Sequence, residues 1–419
     1  MKRLIKKIIR PLAIRFLLAR EWSATRVVFN PLSAKFMDDP YPSYAKLRRK
    51  DPVHWSRLIK SWVLTTHGDI DFVLRDHKRF ANDTRNTLEQ MTENQVNEVH
   101  SMLYLDPPDH TRLKSLVSQA FTRRAIEAMN IRIEVIVDQL LDKIEDDKFD
   151  AIEALAHPLP NIVISEMLGI PPEDQIRFRD WSDNVASSLE PNRSHQELQV
   201  IEQSLESLHA YFDEVIDNRR ADPQEDLVTV LCQAEEEGEK LTHQELLVTL
   251  TLLLVAGNET TKNLIGNGLL ALLQNPAQMD LLRKDSALVP LAVEELLRFD
   301  GPVQMDTRTA LEDVEIGGKQ IKRGEFLVLV IGSANRDEQV FCDPDSLKIN
   351  RSAQNHLAFG RGIHHCLGAQ LAQMEGQIAL RKLCQRFPDL RLAGRPVHNN
   401  RVVLRGLTDL PVSTGTRGH

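Results

Sequence analysis

The chemistry-bearing residues of this 419-residue chain concentrate around one of its four cysteines. Cys366 lies in the run Phe359-Gly360-Arg361-Gly362-Ile363-His364-His365-Cys366-Leu367-Gly368. The two glycines at 360 and 362 leave a backbone that a flat ligand can approach closely. The apolar spacing of Leu367, Leu371, Met374 and Ile378 places the start of an amphipathic helix at the cysteine. A helix N-terminus offers free N–H groups and the positive end of a dipole, and both favour a thiolate over a thiol. Such a sulfur is an axial ligand for a metal or a nucleophile. A buried free cysteine is the alternative, and it is the usual fate of an isolated one.

A second group of polar residues falls where an apolar helix is expected. Thr242 opens a T-x-x-E capping box with Glu245, and the pattern then runs without proline to Asn275. Its middle, Leu250 to Ala256, is apolar on nearly all faces, as in a helix inside a core. Gly257-Asn258-Glu259-Thr260-Thr261 follow at once. A glycine, a carboxylate and two hydroxyls inside a buried helix cost stability unless they are satisfied or used. They therefore form either a site or a satisfied core network. In the second case Thr260 and Thr261 would bond back to carbonyls one turn earlier.

The elements that must position these groups are mostly helices. Ser61–His67 reads as a strand, with a short helix over Asp69–Asp76. Residues 80–104 are polar without period and read as a long loop, a length that argues for function. Residues 105–275 are helical in pattern, broken at prolines. Val314–Ile316 and Lys319–Ile321 flank Gly317-Gly318 as a hairpin, and Phe326–Ile331 reads as a buried strand. The chain is thus mainly α with a smaller β portion, and no linker divides it. We expect a basic amphipathic segment over residues 1–29 and a single domain over residues 30–419.

Composition narrows the function classes. Hydrophobic residues make up 42% and charged residues 27%, as in ordinary globular proteins. No apolar run is long enough to span a bilayer. The cysteines are too few and too scattered for a disulfide scaffold or a C-x-x-C zinc site, so we expect reduced thiols in a reducing compartment. Seven of the 52 bases fall in residues 1–20, which hold no acid, and the rest of the chain is net −15. A body that acidic is a poor nucleic-acid binder. In the basic head Leu4, Ile5, Ile8, Ile9 and Leu12 recur at helical spacing. That fits a helix lying on an anionic membrane surface, with a solubilising or disordered tail as the alternative. Bases interrupt its apolar stretch, which argues against a secretory signal.

The F-G-x-G-x-H-x-C-x-G run resembles the haem-binding loop of the cytochrome P-450 family at every fixed position. Ala256-Gly257-Asn258-Glu259-Thr260-Thr261 resembles that family's distal motif, and Glu295-Leu296-Leu297-Arg298 its E-x-x-R helix. Leu105–Arg112 and Asn335-Arg336-Asp337 resemble the soluble bacterial branch. The likeness runs from about Asn30 to near the C-terminus. It implies the cytochrome P-450 fold, with a long central helix over a haem and a proximal cysteine loop.

What the resemblance implies is specific. Cys366 would be the axial ligand of the iron of haem b (iron protoporphyrin IX), with Phe359 against the proximal face and Gly368 closing the loop. Ala256 and Gly257 would leave room beside the haem and let the helix open locally. Glu259 and Thr260 would be the catalytic acid–alcohol pair that delivers protons. His110, Lys114, Arg308 and His364 would hold the propionates. Lys114 stands where the family more often has arginine, and a lysine is a point charge rather than a fork. Glu295 and Arg298 would form a buried pair. The third basic partner usual in the family is absent, because Ser346 stands in its place in Pro344-Asp345-Ser346-Leu347.

The activity implied is a monooxygenase that uses dioxygen and two electrons to hydroxylate or epoxidise a mainly apolar organic substrate. The resemblance assigns the substrate pocket to the 80–104 loop, the helices around 180–210, Leu252–Ala256, Val303–Asp306 and Leu407-Thr408. Val303, Gln304, Met305 and Asp306 mix apolar and polar groups, which suits a terpenoid, fatty acid or polyketide with one or two polar handles. No flavin or iron–sulfur module is evident, so the electrons would come from a ferredoxin and its reductase. Arg112, Arg123, Arg124 and Arg361 are the candidate docking bases. A cytoplasmic monomer is expected, peripheral at the membrane surface if residues 1–20 touch it. A peroxide-driven peroxygenase and a non-catalytic haem-binding protein are the alternatives. A cysteine hydrolase would need His364 or His365 as base and leaves the glycines and the distal motif unexplained.

Overall fold

A mixed sheet organises the first of two compact units. That unit comprises Met1–Val96, Val303–Ser346 and Asn355–His364, and the second comprises Asn97–Pro302, Leu347–Gln354 and His365–His419. The computed structural model describes residues 2–86, 101–121, 123–191, 193–236, 241–351 and 355–415.

In the first unit Val53–Ser56 and Ser61–Leu64 form a hairpin, with Trp55 opposite Trp62. Phe326–Leu329 runs parallel to Ser61–Leu64, with Val63 opposite Val328. Asp306–Ala310 then pairs antiparallel with Phe326–Leu329, and Phe80–Ala81 closes the edge. One face packs Leu64, Ile70, Val73, Phe80, Leu327 and Leu329 into a common core. The helix after the hairpin runs His67–Arg75, two residues earlier than expected, because Thr66 caps it by accepting from Asp69 N. The Val314–Ile316 and Lys319–Ile321 hairpin forms as expected, and Gly317 and Gly318 both take positive φ in its turn.

The second unit is helical, with a small three-stranded sheet made by Lys148–Asp150, Pro411–Ser413 and Arg391–Leu392. Its centre is the long helix His243–Gln274, 32 residues and about 48 Å at the usual rise. The capping box is complete at its start: Thr242 Oγ1 accepts from Glu245 N, and Glu245 accepts from Thr242 N. Leu246, Leu250, Leu253 and Leu254 pack with Leu208, Phe212, Phe178 and Ile164. The helix Val289–Asp300 carries the E-x-x-R pair, and Ala369–Arg386 follows the cysteine loop. Part of the expected 80–104 loop takes short 3-10 turns at Thr84–Asn86 and Met102–Tyr104, while residues 87–100 lie outside the described residues. Among the described residues, no helix is long and apolar enough to cross a membrane.

Candidate functional site

The cysteine loop is shaped by its glycines. Gly360 and Gly362 both sit at positive φ, +68° and +69°, where a side chain is strained. A Cβ on Gly362 would lie 2.4 Å from the carbonyl oxygen of Leu74, so only glycine fits there. Phe359 is half-buried, its ring centroid 6.1 Å from that of His356. His364 ends a short 3-10 turn from Gly362. Arg361 donates to His356 O and faces Asp71 at 3.7 Å.

Cys366 is one of four free cysteines and is exposed. Even so, burial of the sulfur pushes its thiol pKa up, against the Gly368 N–H and the Lys114 ammonium, which pull it down. The sulfur therefore lies in a recess: open on one side, crowded on the others. The helix begins at Ala369, with Gly368 as its N-cap, three residues beyond the cysteine rather than at it. The expected depression of the thiol by the helix terminus is thus overruled by desolvation. A metal ion held by Cys366 would supply the missing positive charge, since coordination deprotonates a thiol.

Lys114 and Cys366 are brought together. Lys114, on the helix Asp109–Ala120, donates to His365 O at 2.8 Å, and burial lowers its pKa while Cys366 raises it. That bond ties the lysine to the cysteine loop. His110 is buried on the same helix. Arg308 is 3% exposed on the strand Asp306–Ala310. It donates to Asn82 Oδ1 at 2.7 Å and Thr307 O at 2.6 Å, and it pairs with Asp306 at 3.0 Å.

The distal motif sits midway along the long helix, which continues through it as regular α-helix, so the local opening expected at Gly257 does not occur. Gly257 instead packs closely: a Cβ there would meet the Ile164 side chain at 3.2 Å and push it aside by a few tenths of an ångström. Ala256 is exposed and Gly257 and Thr260 are half-exposed, whereas Val255, Asn258, Glu259 and Thr261 are buried. One face of an otherwise buried helix is therefore accessible at this level. Thr260 Oγ1 donates to Ala256 O at 2.6 Å, the back-bond weighed from the sequence.

Glu259 is 1% exposed and strongly held. Lys262 Nζ lies 2.6 Å from Oε2, and Arg401 Nη1 and Asn263 Nδ2 donate to Oε1 at 2.9 and 3.1 Å. Arg401 Nη2 also donates to Asp183 O at 3.3 Å, and the Asp183 carboxylate faces Lys262 at 3.8 Å and His157 at 3.2 Å. Burial raises the Asp183 pKa, but His157, Lys262 and Arg401 together pull it below its ordinary value. The loop that carries Arg401 is pinned by Glu190, whose carboxylate accepts from the N–H groups of Val402, Val403 and Leu404. Neither is visible as functional in the sequence, because only the fold carries Arg401 to Glu259 and Glu190 to the loop that bears Arg401.

The partner missing at Ser346 comes from another residue. Arg298 forms a two-pronged bond to Glu295, 2.7 and 2.8 Å, and Arg351 Nε donates to Glu295 Oε2 at 2.9 Å. The backbone N–H of Lys348 completes the carboxylate at 2.9 Å. The base has moved along the chain while the three-residue network remains.

The docking bases are less free than expected. Arg112 is ion-paired to Glu245 and lies 3.5 Å from Asp109. The side chains of Arg123 and Arg124 lie outside the described residues.

An open cysteine in a recess, a glycine-built loop ahead of it, and a buried carboxylate beside a hydroxyl on an accessible helix face define a haem-thiolate class of protein. The residues fit that group, since the sulfur is reachable and the long helix is bared along Leu252, Ala256, Gly257 and Thr260. The comparisons agree. The family model Cytochrome P-450 matches residues 27–391, and the chain belongs to that family of haem-binding monooxygenases. It is 42% identical over 406 residues to the polyketide biosynthesis cytochrome P-450 PksS of Bacillus subtilis (strain 168), covering 93% of this chain and 99% of that protein. The solved structure of PksS superposes with a TM-score of 0.86, covering 93% of this chain and 100% of that one. The cytochrome P-450 monooxygenase PikC of Streptomyces venezuelae is 40% identical over 392 residues, 91% of this chain and 92% of its own. The structure of P450BioI, in complex with an acyl carrier protein ligated to hexadec-9Z-enoic acid, is 36% identical with a TM-score of 0.83, covering 91% of this chain and 100% of that chain.

Proposed function

We propose that the protein hydroxylates or epoxidises a mainly apolar acyl or polyketide substrate, using dioxygen and two electrons from an external ferredoxin and its reductase. Haem b held through Cys366 would supply the activation of dioxygen. His110, Arg308 and His364 would receive its propionates, with Lys114 better placed to steady the cysteine loop through His365 O. Glu259 and Thr260 are the chain's own proton-holding groups. Thr260 Oγ1 spends its proton on Ala256 O and leaves its lone pairs free to accept from a reacting oxygen. Glu259, itself buried, holds its place against two cations.

The observation that carries this reading is the coincidence of an accessible Cys366 with the buried, doubly paired Glu259 beside Thr260. A peroxide-driven enzyme has no need of such a proton-holding pair. Support for the substrate class comes from PksS, named for polyketide biosynthesis, and from P450BioI, seen with an acyl chain on its carrier. The Val303–Asp306 segment, with Gln304 buried and Asp306 half-exposed, adds polar groups suited to a polar handle on such a chain. The protein would work in the cytoplasm as a monomer, its domain running over residues 30–419.

The first test is the absorption spectrum of the reduced, carbon-monoxide-bound protein beside that of Cys366→Ser. A strongly red-shifted Soret band, lost in the variant, is expected. The band of a neutral ligand in the wild type would overturn the assignment of Cys366. A spin-state screen with free and carrier-bound acyl chains then tests the substrate class, and response to neither would remove it.

A further inference from the structure

We propose that the N-terminal helix is a membrane-surface anchor, lying along an anionic lipid bilayer with one apolar face in the headgroup region. The helix is continuous from Lys2 to Thr25, and its bulk precedes residue 27, where the match to the family begins. It is therefore not explained by the haem-binding fold.

Three observations carry the inference. The first is how the helix attaches. Glu21, the only acid in it, is buried and accepts from Phe29 N at 2.7 Å, Arg57 N at 2.8 Å and the His54 ring at 2.8 Å. Ile14, Leu17, Leu18 and Thr25 are partly buried on the same side of the helix as Glu21. This face belongs to the protein body.

The second observation is what lies on the opposite face. Phe16 is 62% exposed and Trp22 50% exposed, and Ala19 is exposed between them. With about 100° of rotation per residue, the positions of Leu4, Ile5, Ile8, Ile9 and Leu12 fall on this same outward face. The sequence thus extends an apolar stripe, already bared at Phe16 and Trp22, along the first three turns. A folded chain that leaves such a stripe to water has something to cover it.

The third observation selects the cover. Residues 1–20 carry seven bases and no acid on a protein that is otherwise net −15. In the first three turns Lys2, Arg3, Lys6, Lys7 and Arg10 fall on the arc opposite the apolar stripe, which makes these turns amphipathic, as in helices that lie in an interface. A second copy of this chain would set two such helices side by side, each with seven bases and no acid over residues 1–20, and nothing in either would offset the like charge. An anionic lipid surface complements the bases and buries the stripe together. The helix is too short of apolar residues to span, since no described helix can.

The test uses the full-length holoprotein and vesicles of phosphatidylcholine alone or with about a third phosphatidylglycerol. Flotation with the anionic vesicles in low salt is expected, with at least a tenfold smaller bound fraction on neutral vesicles or in 0.5 M salt, about where charge interactions are screened within a few ångströms. The triple reversal Lys6→Glu, Lys7→Glu, Arg10→Glu should lose binding tenfold or more, while Lys284→Glu, elsewhere on the surface, should not. Tryptophan emission should shift to the blue on binding, and Trp22→Phe should remove that shift. The carbon-monoxide spectrum, unchanged in the triple variant, shows that the haem domain is intact. Equal flotation of wild type and triple variant overturns the proposal. So does failure of the wild type to float, or a dimer in sedimentation that Phe16→Asp dissolves, because the stripe is then covered by protein.

Discussion

Arg401 and Glu259 meet across 142 residues of sequence, with Nη1 of the arginine 2.9 Å from Oε1 of the carboxylate. With Lys262 on the other oxygen, the carboxylate is held from two sides. Arg401 is therefore a positioning residue for Glu259. Glu259→Gln should lower product formation by about 10²-fold, the low end of what a general acid–base group contributes. Arg401→Gln should lower it by less, about tenfold, and raise the hydrogen peroxide released per electron pair. On the Glu259→Gln background the arginine change should do nothing further, since coupled residues are not additive. An additive double variant would show that Arg401 acts elsewhere.

Thr260 separates oxygen chemistry from folding. Its hydroxyl bonds back to Ala256 O, an interaction that competes with the helix rather than building it. Thr260→Ala should leave the urea midpoint nearly unmoved, within about 0.5 kcal/mol. The same change should cut product per electron pair severalfold and send the difference to hydrogen peroxide. Unchanged product would mean that the hydroxyl has no part in proton delivery and would favour a peroxide-driven enzyme.

The Glu295 network predicts an ordered pair of stability losses. Arg298 is 1% exposed and forms a two-pronged bond to Glu295. Removing it leaves the buried carboxylate to Arg351 and the Lys348 N–H, so Arg298→Met should cost about 3 kcal/mol, the low end for a broken buried pair, and release haem. Arg351→Met leaves the two-pronged bond intact and should cost only about 1–2 kcal/mol, the worth of one charged hydrogen bond. Denaturant unfolding of the two holoproteins checks the order. A larger loss at Arg351 would reverse the roles assigned to the two arginines.

The parts legible in the sequence are those where one short stretch dictates its own structure. The Thr242–Glu245 cap, the Gly317-Gly318 turn and the Gly360–Gly362 loop each carry their instruction locally, and each appears as expected. Glu259 and Thr260 could be singled out because polar groups interrupt an apolar helix. What surrounds Glu259 could not, since Arg401 reaches it, and Glu190 pins the Arg401 loop, only through tertiary folding. Arg351 was hidden for a related reason: the motif places the third base at Ser346, but a carboxylate accepts a guanidinium from any nearby backbone position. The burial that raises the Cys366 thiol in the metal-free protein is likewise set by packing, while a helix terminus can be read from sequence.

His54 provides the pH prediction. It is fully buried, with Nδ1 2.9 Å from Asp51 and Nε2 2.8 Å from Glu21. Burial lowers its pKa, but the two carboxylates outweigh this and raise it above its ordinary 6.5. Burial raises Glu21, and His54 with the N–H groups of Phe29 and Arg57 brings it below 4.5. Asp51 is also raised by burial and brought below 3.8 by His54 and Lys319. A group whose folded pKa is raised gives stability that is complete below its unfolded value and lost as pH rises through the folded one. The carboxylates give theirs above their unfolded values and lose it as pH falls through the lowered ones. The cluster should therefore be strongest between about pH 4.5 and 6.5 and weaken on either side. Because Glu21 ties down the N-terminal helix, weakening should appear first as faster amide exchange around Trp22 above pH 6.5. His54→Ala should cost about 3 kcal/mol near pH 6, as expected for a broken buried pair, and the difference from wild type should narrow as pH rises. A gap that stayed constant from pH 6 to pH 9 would mean that His54 is neutral in the folded protein and contributes only its hydrogen bonds.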